Sequence, residues 1–483
     1  MSTKSFGSAV IFCFGLSVLT TSLSGQPVQA ELLGHWEKSG LVGSSFYNNT
    51  YNEVWGLAYG GREFGIIGPT AGTHFIDITD PSQPEEVAFV AGALQGGNVV
   101  HRDFHNYGCY LYAVCDEGAS TLQIIDFSTL PDSVSVVYDS NELIRRSHNI
   151  FIDTLRAKLY CLVVANAAQG YHAMRVYDLA DPLNPTFIGA YNKFGNITAS
   201  QVHDAYVEDG IAYLNCGPHG LAIVDFTDPY NPATLGTLTD YPFKGYNHSG
   251  WLAADRTHYI MSDEDHGFEM KMLDVSDPSD IQVVKTFNAG SESSMSIPHN
   301  QIIACNFLYV SYYYDGLQVY DISDPESPVR VMYYPTSQRP YSNSYEGAWG
   351  VYPFLPSGNV LVSDMQRGLF IIRGPGDDCP ARAASIVDCN QVLGVGEAET
   401  KAPPVVYPIP ARSGNPVYIT GWKGQQKVKA VIADVQGRSL VRFELTDFGE
   451  SGRLDLPAWL PAGVYFLELT DGENRWVDKL IVQ

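Results

Sequence analysis

The sequence carries little charge and none of the short motifs that mark common catalytic sites. Charged residues make up 17% of the 483 residues, and 53 acidic residues outnumber 29 basic ones, giving a formal net charge of −24. An acidic chain of this kind repels phosphate backbones, so we expect no nucleic-acid partner. The sequence has no P-loop, nucleophile elbow, HExxH or CxxC motif, and no GxGxxG after a strand. The best-known nucleotide, hydrolase and zinc-protease sites are therefore not indicated.

Long apolar runs are missing except at the N-terminus. Residues 1–30 carry one basic residue, Lys4, then an apolar run from Phe6 to Leu23 and the small-x-small triplet Val28-Gln29-Ala30. This pattern predicts a signal peptide cleaved after Ala30, with a membrane anchor as the alternative. No other stretch approaches the ~20 apolar residues of a membrane span. We therefore expect a secreted chain without a membrane span.

Cysteine is scarce, and its spacing matches no zinc site. After cleavage the chain keeps an odd number of cysteines, at positions 109, 115, 161, 216, 305, 379 and 389. Those from 109 to 305 stand singly in apolar, strand-like runs, which predicts buried free thiols. Cys379 and Cys389 flank a short polar loop, where a disulfide between them would fit an oxidising compartment.

A repeat organises residues 50–373. An apolar run is followed by Asp, an apolar residue, a small residue and Asp-Pro, as in Ile76-Asp77-Ile78-Thr79-Asp80-Pro81. Further copies centre on Asp178, Asp225, Asp274 and Asp321, a looser copy centres on Asp126 with Pro131 later, and a terminal copy that ends near Arg373 has lost the Asp-Pro. The steps between copies run from 47 to 52 residues. Pro fixes φ and the carboxylate accepts backbone N–H groups, so each copy predicts a tight turn after a strand.

Each repeat holds four strand-like runs, and this periodicity predicts an all-β fold. Four short strands per roughly 49 residues, seven times over, describe a seven-bladed β-propeller. The last copy lacks a fourth strand before Gly374-Pro375-Gly376, while Leu32 to Trp36 near the N-terminus has no partner of its own. We therefore predict that residues 31–40 complete the last blade and close the ring.

The strand that precedes each Asp-Pro resembles the LVIVD repeat, as in Leu221-Ala222-Ile223-Val224-Asp225. Residues 31–375 as a whole resemble the choice-of-anchor B family of secreted bacterial proteins. The resemblance implies the propeller fold. It implies no defined activity.

Five histidines recur at one repeat position, 22–30 residues before the repeat Asp. The position is occupied in turn by Trp55, His101, His148, His203, His248, His299 and Trp349. It opens the first strand of each blade, the strand that lines the channel of a propeller. Strand parity places the turns between second and third strands on the same face, and these turns contain Asp116, Glu117, Asp263 and Glu264. Histidines and carboxylates should therefore meet at one mouth of the channel.

Three interpretations of this mouth stay open from the sequence. The histidines could be structural, each hydrogen-bonded to a neighbouring blade. They could instead hold a divalent or transition metal, with the four acidic residues as ligands or as groups that orient the ligands. The mouth could also take a sugar or peptide, with Trp55 and Trp349 as stacking faces. The run Tyr312-Tyr313-Tyr314 is interpreted as strand packing.

The C-terminal part of the chain reads as a linker and a second domain. Residues 376–406 are rich in Gly, Pro, Ala and acidic residues, which favours a linker, and residues 407–483 contain strand-like runs that predict a small Ig-like β-sandwich. This second domain resembles the type A C-terminal sorting domain of the type IX secretion system. The matching motifs are Tyr407-Pro408-x-Pro410-Ala411, Asp434-x-x-Gly437-Arg438, Leu460-Pro461-Ala462-Gly463-Val464-Tyr465 and Lys479-Leu480-Ile481-Val482.

The sorting-domain resemblance implies a partner and a location. The partner of residues 407–483 would be the type IX secretion machinery, and the propeller would reach the cell surface or the extracellular space. There it would act as a binding or scaffold protein on an unknown ligand rather than as an enzyme. The alternatives are a metal-dependent enzyme that uses the channel-mouth histidines and an extracellular hydrolase or lyase.

Overall fold

The computed structural model describes residues 26–166, 170–389, 405–407, 409–420, 427–433, 439–445, 451–470 and 475–483. The chain divides into two compact units, at residues 1–394 and 395–483. Most of the predicted signal peptide, residues 1–25, lies outside the described residues. No helix among the described residues has both the length and the apolar character needed to cross a bilayer.

Strands dominate the first unit, and most of them belong to seven antiparallel sheets, A to G. The chain begins with β1 (Val28–Gln29) and β2 (Leu32–Trp36). Sheet A contains β3 (Tyr51–Tyr59), β4 (Arg62–Pro69), β5 (Gly72–Asp77) and β6 (Glu85–Ala91). Sheet B contains β7 (Arg102–Tyr107), β8 (Tyr110–Cys115), β9 (Leu122–Asp126) and β10 (Ser135–Ser140). Sheet C contains β11 (Asn149–Asp153), β12 (Lys158–Asn166), β13 (Gly170–Asp178) and β14 (Thr186–Tyr191).

The remaining sheets of this unit follow the same order after a short hairpin. The hairpin is β15 (Lys193–Phe194) and β16 (Ile197–Thr198). Sheet D contains β17 (Asp204–Glu208), β18 (Ile211–Asn215), β19 (Leu221–Asp225) and β20 (Ala233–Leu238). Sheet E contains β21 (Asn247–Leu252), β22 (His258–Asp263), β23 (Met270–Asp274) and β24 (Gln282–Phe287). Sheet F contains β25 (Gln301–Ala304), β26 (Phe307–Tyr312), β27 (Gly316–Asp321) and β28 (Val329–Tyr334). Sheet G contains β29 (Ala348–Tyr352), β30 (Val360–Asp364) and β31 (Gly368–Ile372).

The sheets form a closed ring, which is the arrangement of a β-propeller. The first strand of each sheet contacts the first strand of the next, from β3 through β7, β11, β17, β21 and β25 to β29, and β29 contacts β3. Strand β2 pairs antiparallel with β31 and supplies the fourth strand of sheet G, with His35 opposite Phe370. The predicted closure by residues 31–40 is confirmed.

One further N-terminal strand adds to the ring without closing it. Strand β1 runs parallel to β28 as a fifth strand of sheet F, and the backbone N–H of Ala30 donates to the carbonyl of Tyr333. Cleavage after Ala30 would remove β1 and leave the four repeat strands of sheet F intact.

The repeated Asp-Pro element makes the turn that its chemistry predicts. The carboxylate of Asp77 accepts a hydrogen bond from the backbone N–H of Thr79 at 2.9 Å. The same contact recurs at Asp126, Asp178, Asp225, Asp274 and Asp321. The repeat thus encodes one local device, a carboxylate that caps the turn between the third and fourth strands.

The cysteine predictions are partly wrong. Cys115, Cys161 and Cys216 are buried free thiols as expected. Cys379 and Cys389 do not pair with each other; the disulfides are Cys109–Cys389 and Cys305–Cys379, and neither Cys109 nor Cys305 is a free thiol. The partners lie 280 and 74 residues apart, so only the folded ring brings them together.

These disulfides also correct the linker prediction for residues 376–389. This segment, including helix α1 (Pro380–Ala384), lies on the propeller and is called the cross-linked segment below. Arg382 is buried in it and donates to the carbonyl of Pro353 and to Oη of Tyr309. Specific contacts to the ring hold a segment whose composition alone suggested a linker. Residues 390–404 lie outside the described residues.

The described residues of the second unit form two antiparallel sheets that share one apolar core. One contains β32 (Val405–Tyr407), β33 (Pro416–Thr420) and β36 (Ser451–Asp455). The other contains β34 (Val428–Ala433), β35 (Ser439–Leu445), β37 (Gly463–Thr470) and β38 (Arg475–Val482). Val417 and Leu454 of the first sheet belong to one cluster with Ile432 and Leu467 of the second. The sequence motif from Asp434 to Arg438 lies outside the described residues.

Candidate metal centre at the channel mouth

Six aromatic side chains form a closed circle around one mouth of the channel. Consecutive ring centroids lie 4.1–5.3 Å apart, and the sixth member contacts the first. We call this set the histidine circle: His101, His148, His203, His248, His299 and Trp349. A cavity of about 10 Å³, the size of one water molecule, lies among these side chains.

Trp55 is not a member of the circle, contrary to the repeat alignment. It lies deeper in the channel, where its ring contacts His105 at 4.5 Å and its Nε1 donates to Asn106. Trp55 is the fifth residue of β3, whereas each histidine of the circle lies within two residues of the start of its strand. The spacing from the repeat Asp therefore does not identify the equivalent residue in sheet A.

Two of the predicted carboxylates accept hydrogen bonds from the imidazoles on the more exposed side of the circle. Nδ1 of His101 donates to Glu117 at 2.6 Å, and Nδ1 of His148 donates to Asp116 at 2.9 Å. Burial lowers the pKa of His148, but the hydrogen bond to Asp116 and the charge of Asp116 outweigh this effect. The pKa of His148 is therefore raised. These pairs fix the two imidazole rings, and they place negative charge where the mouth meets solvent.

Glu264 faces the opposite, buried side of the circle. Its carboxylate oxygens lie 3.7 Å from Nε2 of His248 and 4.0 Å from Nε2 of His299. Both separations exceed a hydrogen bond. The phenol of Tyr313 donates to Glu264 at 2.5 Å and so orients the carboxylate. Burial raises the pKa of Glu264 to about 7.

The buried histidines are neutral, and two of them have a fixed tautomer. Nδ1 of His299 donates to the carbonyl of Trp349, and Nδ1 of His203 donates to the carbonyl of His248. Burial lowers the pKa of His299 to about 3 and the pKa of His203 and His248 well below the ordinary value. A neutral imidazole with Nδ1 engaged presents a free lone pair on Nε2.

Asp263 does not reach the mouth, contrary to expectation. Its carboxylate is fully buried and forms an ion pair with Lys271 at 2.6 Å, and it accepts hydrogen bonds from Tyr241 and from the backbone of Gly245. It ends strand β22, whereas Glu264 follows that strand. Successive residues of a strand point to opposite sides, so only one of the two can face the channel.

Sequence reasoning missed Tyr313. Tyr312 is packed in a hydrophobic core as predicted for the tyrosine run. Tyr313 instead contacts His299 at 4.8 Å between ring centroids and donates to Glu264. Its positive φ of 30° turns it away from the strand direction, a feature that composition does not reveal.

A layer of buried carboxyl groups lies below the histidine circle. It consists of Glu53, Asp103 and Asp204, which line a cavity of about 70 Å³ with Asn149 and Asn300. Burial raises the pKa of Glu53 to about 8 and that of Asp204 to about 7. Asn300 donates to Glu53 at 2.8 Å, and the backbone N–H of Ile150 donates to Asp103 at 2.6 Å.

A second circle of aromatic residues surrounds the other mouth. Its neighbouring rings lie 4.5–6.0 Å apart. We call it the aromatic circle: Trp55, His105, Phe151, Tyr206, Trp251, Phe354 and Tyr352. The channel therefore has three successive layers, of imidazole, carboxyl and aromatic groups.

Comparison with known proteins identifies two segments of the chain. Residues 405–483 match the secretion system C-terminal sorting domain, and residues 302–336 match the LVIVD repeat. No curated protein matches the sequence.

Solved structures with a similar chain course share little sequence with this one. PorZ, a surface component of the type IX secretion system of Porphyromonas gingivalis, is 12% identical with a TM-score of 0.42. The match covers 92% of this chain, which spans only 61% of PorZ. The β-propeller domain of Cps50 (Swd1) from Myceliophteria thermophila is 9% identical, with a TM-score of 0.48 and coverages of 71% and 98%. The C-terminal WD40 domain of Sif2 is 11% identical, with a TM-score of 0.44 and coverages of 73% and 100%.

The ring of sheets and the two matched segments both indicate a secreted β-propeller protein. The C-terminal unit is the sorting domain that directs the chain through the secretion machinery, and the propeller is the domain that is exported. The chain is therefore a secreted β-propeller protein with an LVIVD repeat and a type IX C-terminal sorting domain, exported to the cell surface or the extracellular space.

Proposed function

We propose that this protein is a secreted binding protein whose histidine circle holds one transition-metal ion between His248, His299 and Glu264. The observation that carries the proposal is the gap between the Glu264 carboxylate and the two Nε2 atoms, at 3.7 and 4.0 Å. Ligand atoms at about 2.1 Å from a tetrahedral ion lie about 3.4 Å from one another. The gap is therefore too wide for a hydrogen bond and close to the width that a shared ion requires.

The protonation and orientation of these groups suit a metal ligand. Ligating imidazoles must be neutral, and burial lowers the pKa of His248 and His299 far enough to ensure this at neutral pH. The hydrogen bond from Nδ1 of His299 to Trp349 fixes the ring with Nε2 toward Glu264. Tyr313 orients the carboxylate in the same way.

The donor set selects the class of metal. Two imidazoles and one carboxylate suit zinc, copper, nickel or iron better than magnesium or calcium, which prefer oxygen ligands. His203 is the neighbouring imidazole, 4.1 Å from His248 between ring centroids, and is the candidate for a fourth ligand.

The other acidic pair acts differently from Glu264. Asp116 and Glu117 are already engaged in hydrogen bonds of 2.9 and 2.6 Å with His148 and His101. Asp116, His101 and His148 also have ligand atoms within 4.8 Å of one another, but these two hydrogen bonds are shorter than the ~3.4 Å that separates two ligands of one ion. The role of the acidic pair in the proposal is to hold the imidazoles in place and to attract a cation to the mouth.

Metal titration of the chelator-treated propeller tests the proposal. Isothermal titration with Zn²⁺, Ni²⁺ and Cu²⁺ should give one site per chain. His299→Ala and Glu264→Gln should each weaken binding at least about tenfold, the scale of losing one partner at a metal site. His258→Gln, a change at an imidazole paired with Asp255 away from the channel, is the matched control and should bind as the parent does.

The structure of each variant must be checked before its affinity is compared. Thermal unfolding of all three variants should stay cooperative. Equal affinity of the parent and both site variants would show that metal, if bound, sits elsewhere, and the proposal would be wrong.

A metal-dependent enzyme is the second candidate function. When His203 is not a ligand, two histidines and one carboxylate leave a coordination position open, as in metal sites that bind a reactant. A Co²⁺-loaded protein would show this directly, because azide entering an open position changes the visible spectrum. No change on adding azide would favour the binding protein.

A further inference from the structure

A cavity of about 660 Å³ lies at the channel mouth opposite the histidine circle. The aromatic circle forms its floor, and residues 384–388 of the cross-linked segment lie along one side. Its volume falls within the range of small-molecule sites in proteins. The carboxyl layer separates it from the candidate metal centre, so the two sites are distinct.

The wall formed by the cross-linked segment is firmly attached to the ring. Disulfides tie its two ends to Cys305 in sheet F and Cys109 in sheet B. Between them, the backbone N–H of Val387 donates to the carbonyl of Ala58 at 2.8 Å, and the hydroxyl of Ser385 donates to the carbonyl of Phe354 at 2.5 Å. The cavity is therefore a preformed space, and residues of sheets C, D and E also line it.

The charged side chains that line the cavity are all acidic. Asp153, Glu208 and Asp388 line it, and no lysine or arginine stands among its described lining residues. His105 is also part of the lining, but burial lowers its pKa to about 4, so it is neutral at physiological pH. Electron-rich ring faces and carboxylates together attract a cation.

Two carboxylates of the lining are already engaged by groups of the protein. Asp153 accepts from the backbone N–H groups of Leu155, Arg156 and Gly210. Glu208 is paired with Arg256 at 2.7 Å and accepts from Tyr206. Asp153 already accepts three hydrogen bonds and has little capacity left for a sugar hydroxyl, and the electron-rich ring faces of the lining suit an alkylated ammonium better than a polyol.

We infer that this cavity binds a small organic cation with an apolar body, of the quaternary or alkylated ammonium class. The cation lies against Trp55, Trp251 and Tyr206, with Glu208 and Asp153 nearby. Cation–π contacts are strongest to tryptophan and gain when the site excludes water. This inference does not depend on the metal proposal.

Choline and its neutral isostere 3,3-dimethylbutan-1-ol are the probes. Binding to the propeller, followed by calorimetry or chemical-shift titration, should be at least about fivefold tighter for choline, the ratio that a cation–π contribution near 1 kcal/mol gives. Methyl glucoside should not compete. Trp251→Leu and Glu208→Gln should each weaken choline binding, while Glu326→Gln, which removes an exposed carboxylate elsewhere, should leave it unchanged.

Each other outcome overturns the inference. No binding of choline, equal binding of the two isosteres, or displacement by methyl glucoside would show that the cavity is not an organic-cation site. If Trp251→Leu fails to unfold cooperatively, the isostere comparison on the parent protein decides alone. His299→Ala should keep choline affinity, which separates this test from that of the metal centre.

Discussion

Nε2 of His299 points at the carboxylate of Glu264 across 4.0 Å, while the opposite nitrogen of the same ring is bound to a backbone carbonyl. The two residues come from different sheets, and strand parity brings them to one face of the ring. The relationship explains why a histidine that is hydrogen-bonded to a neighbouring blade can still be a ligand. The structural and the metal-binding interpretations of this histidine are compatible. Nδ1 makes the structural hydrogen bond, and Nε2 is free to bind a metal ion.

Closure of the propeller depends on strand β2. A chain that starts at about residue 45 leaves the backbone groups of β31 unpaired at an open edge, so we predict loss of cooperative unfolding. A chain that starts at Glu31 loses only the fifth strand of sheet F and is the control. Calorimetry should show one sharp transition for the control. A similar transition for the shorter chain would contradict the closure model.

The buried pair of Lys271 and Asp263 supports the fold beside the metal centre. Lys271→Met leaves a fully buried carboxylate without its countercharge, so we expect the free energy of unfolding to fall by about 3–5 kcal/mol. Lys285→Met, on the neighbouring strand β24, is the control with a small expected effect. Urea unfolding measures both. A loss below about 1 kcal/mol for Lys271→Met would show that the pair is not needed.

His105 makes stability depend on pH. Burial lowers its pKa in the folded chain from 6.5 to about 4, so the unfolded chain binds more protons between these values. Its contribution to stability is therefore present above pH 6.5 and is lost as the pH falls toward 4. His105→Phe keeps an aromatic ring in the circle and removes the titration.

Urea unfolding of the parent and of His105→Phe between pH 4 and 7.5 checks this dependence. The curve of the variant should fall less steeply over the acidic half of that range. The free energy of unfolding of the variant should still decrease with falling pH, because the buried histidines of the other mouth also titrate. Parallel curves would mean that His105 does not titrate between its folded and unfolded values.

The sorting domain should be needed for export and not for folding of the propeller. It is a separate compact unit with its own core, so deleting residues 401–483 should leave the melting of the propeller unchanged. The shortened chain should stay in the periplasm. Cell fractionation with an antibody against the propeller gives the answer, and normal surface delivery of the shortened chain would contradict the role of residues 405–483.

The sequence predicts this fold well because the same strand-and-turn pattern recurs in successive sheets. Each Asp-Pro copy specifies one turn, and an orphan N-terminal strand matches one missing strand. Strand parity correctly brings Asp116, Glu117 and Glu264 to the histidines. These features follow from local chemistry and from the period of two along a strand.

The errors arise where the pattern of the repeat does not determine the position of a residue in the fold. Trp55 is the fifth residue of β3 and lies at the other mouth, and the end of β22 turns Asp263 away from the channel. The disulfides join residues far apart in sequence, so spacing cannot identify them. The aromatic circle was missed because its seven members are a mixture of Trp, Tyr, Phe and His, so no single residue type recurs at its position in the repeat.

The most direct test of the account is anomalous diffraction at the zinc edge from crystals of the zinc-loaded propeller. We predict one peak inside the histidine circle, about 2.0–2.2 Å from Nε2 of His248, from Nε2 of His299 and from an oxygen of Glu264. The peak should be absent from crystals of Glu264→Gln prepared in the same way. A map of the parent protein with no peak between these three side chains, or with zinc bound only at the outer surface, would contradict the central claim.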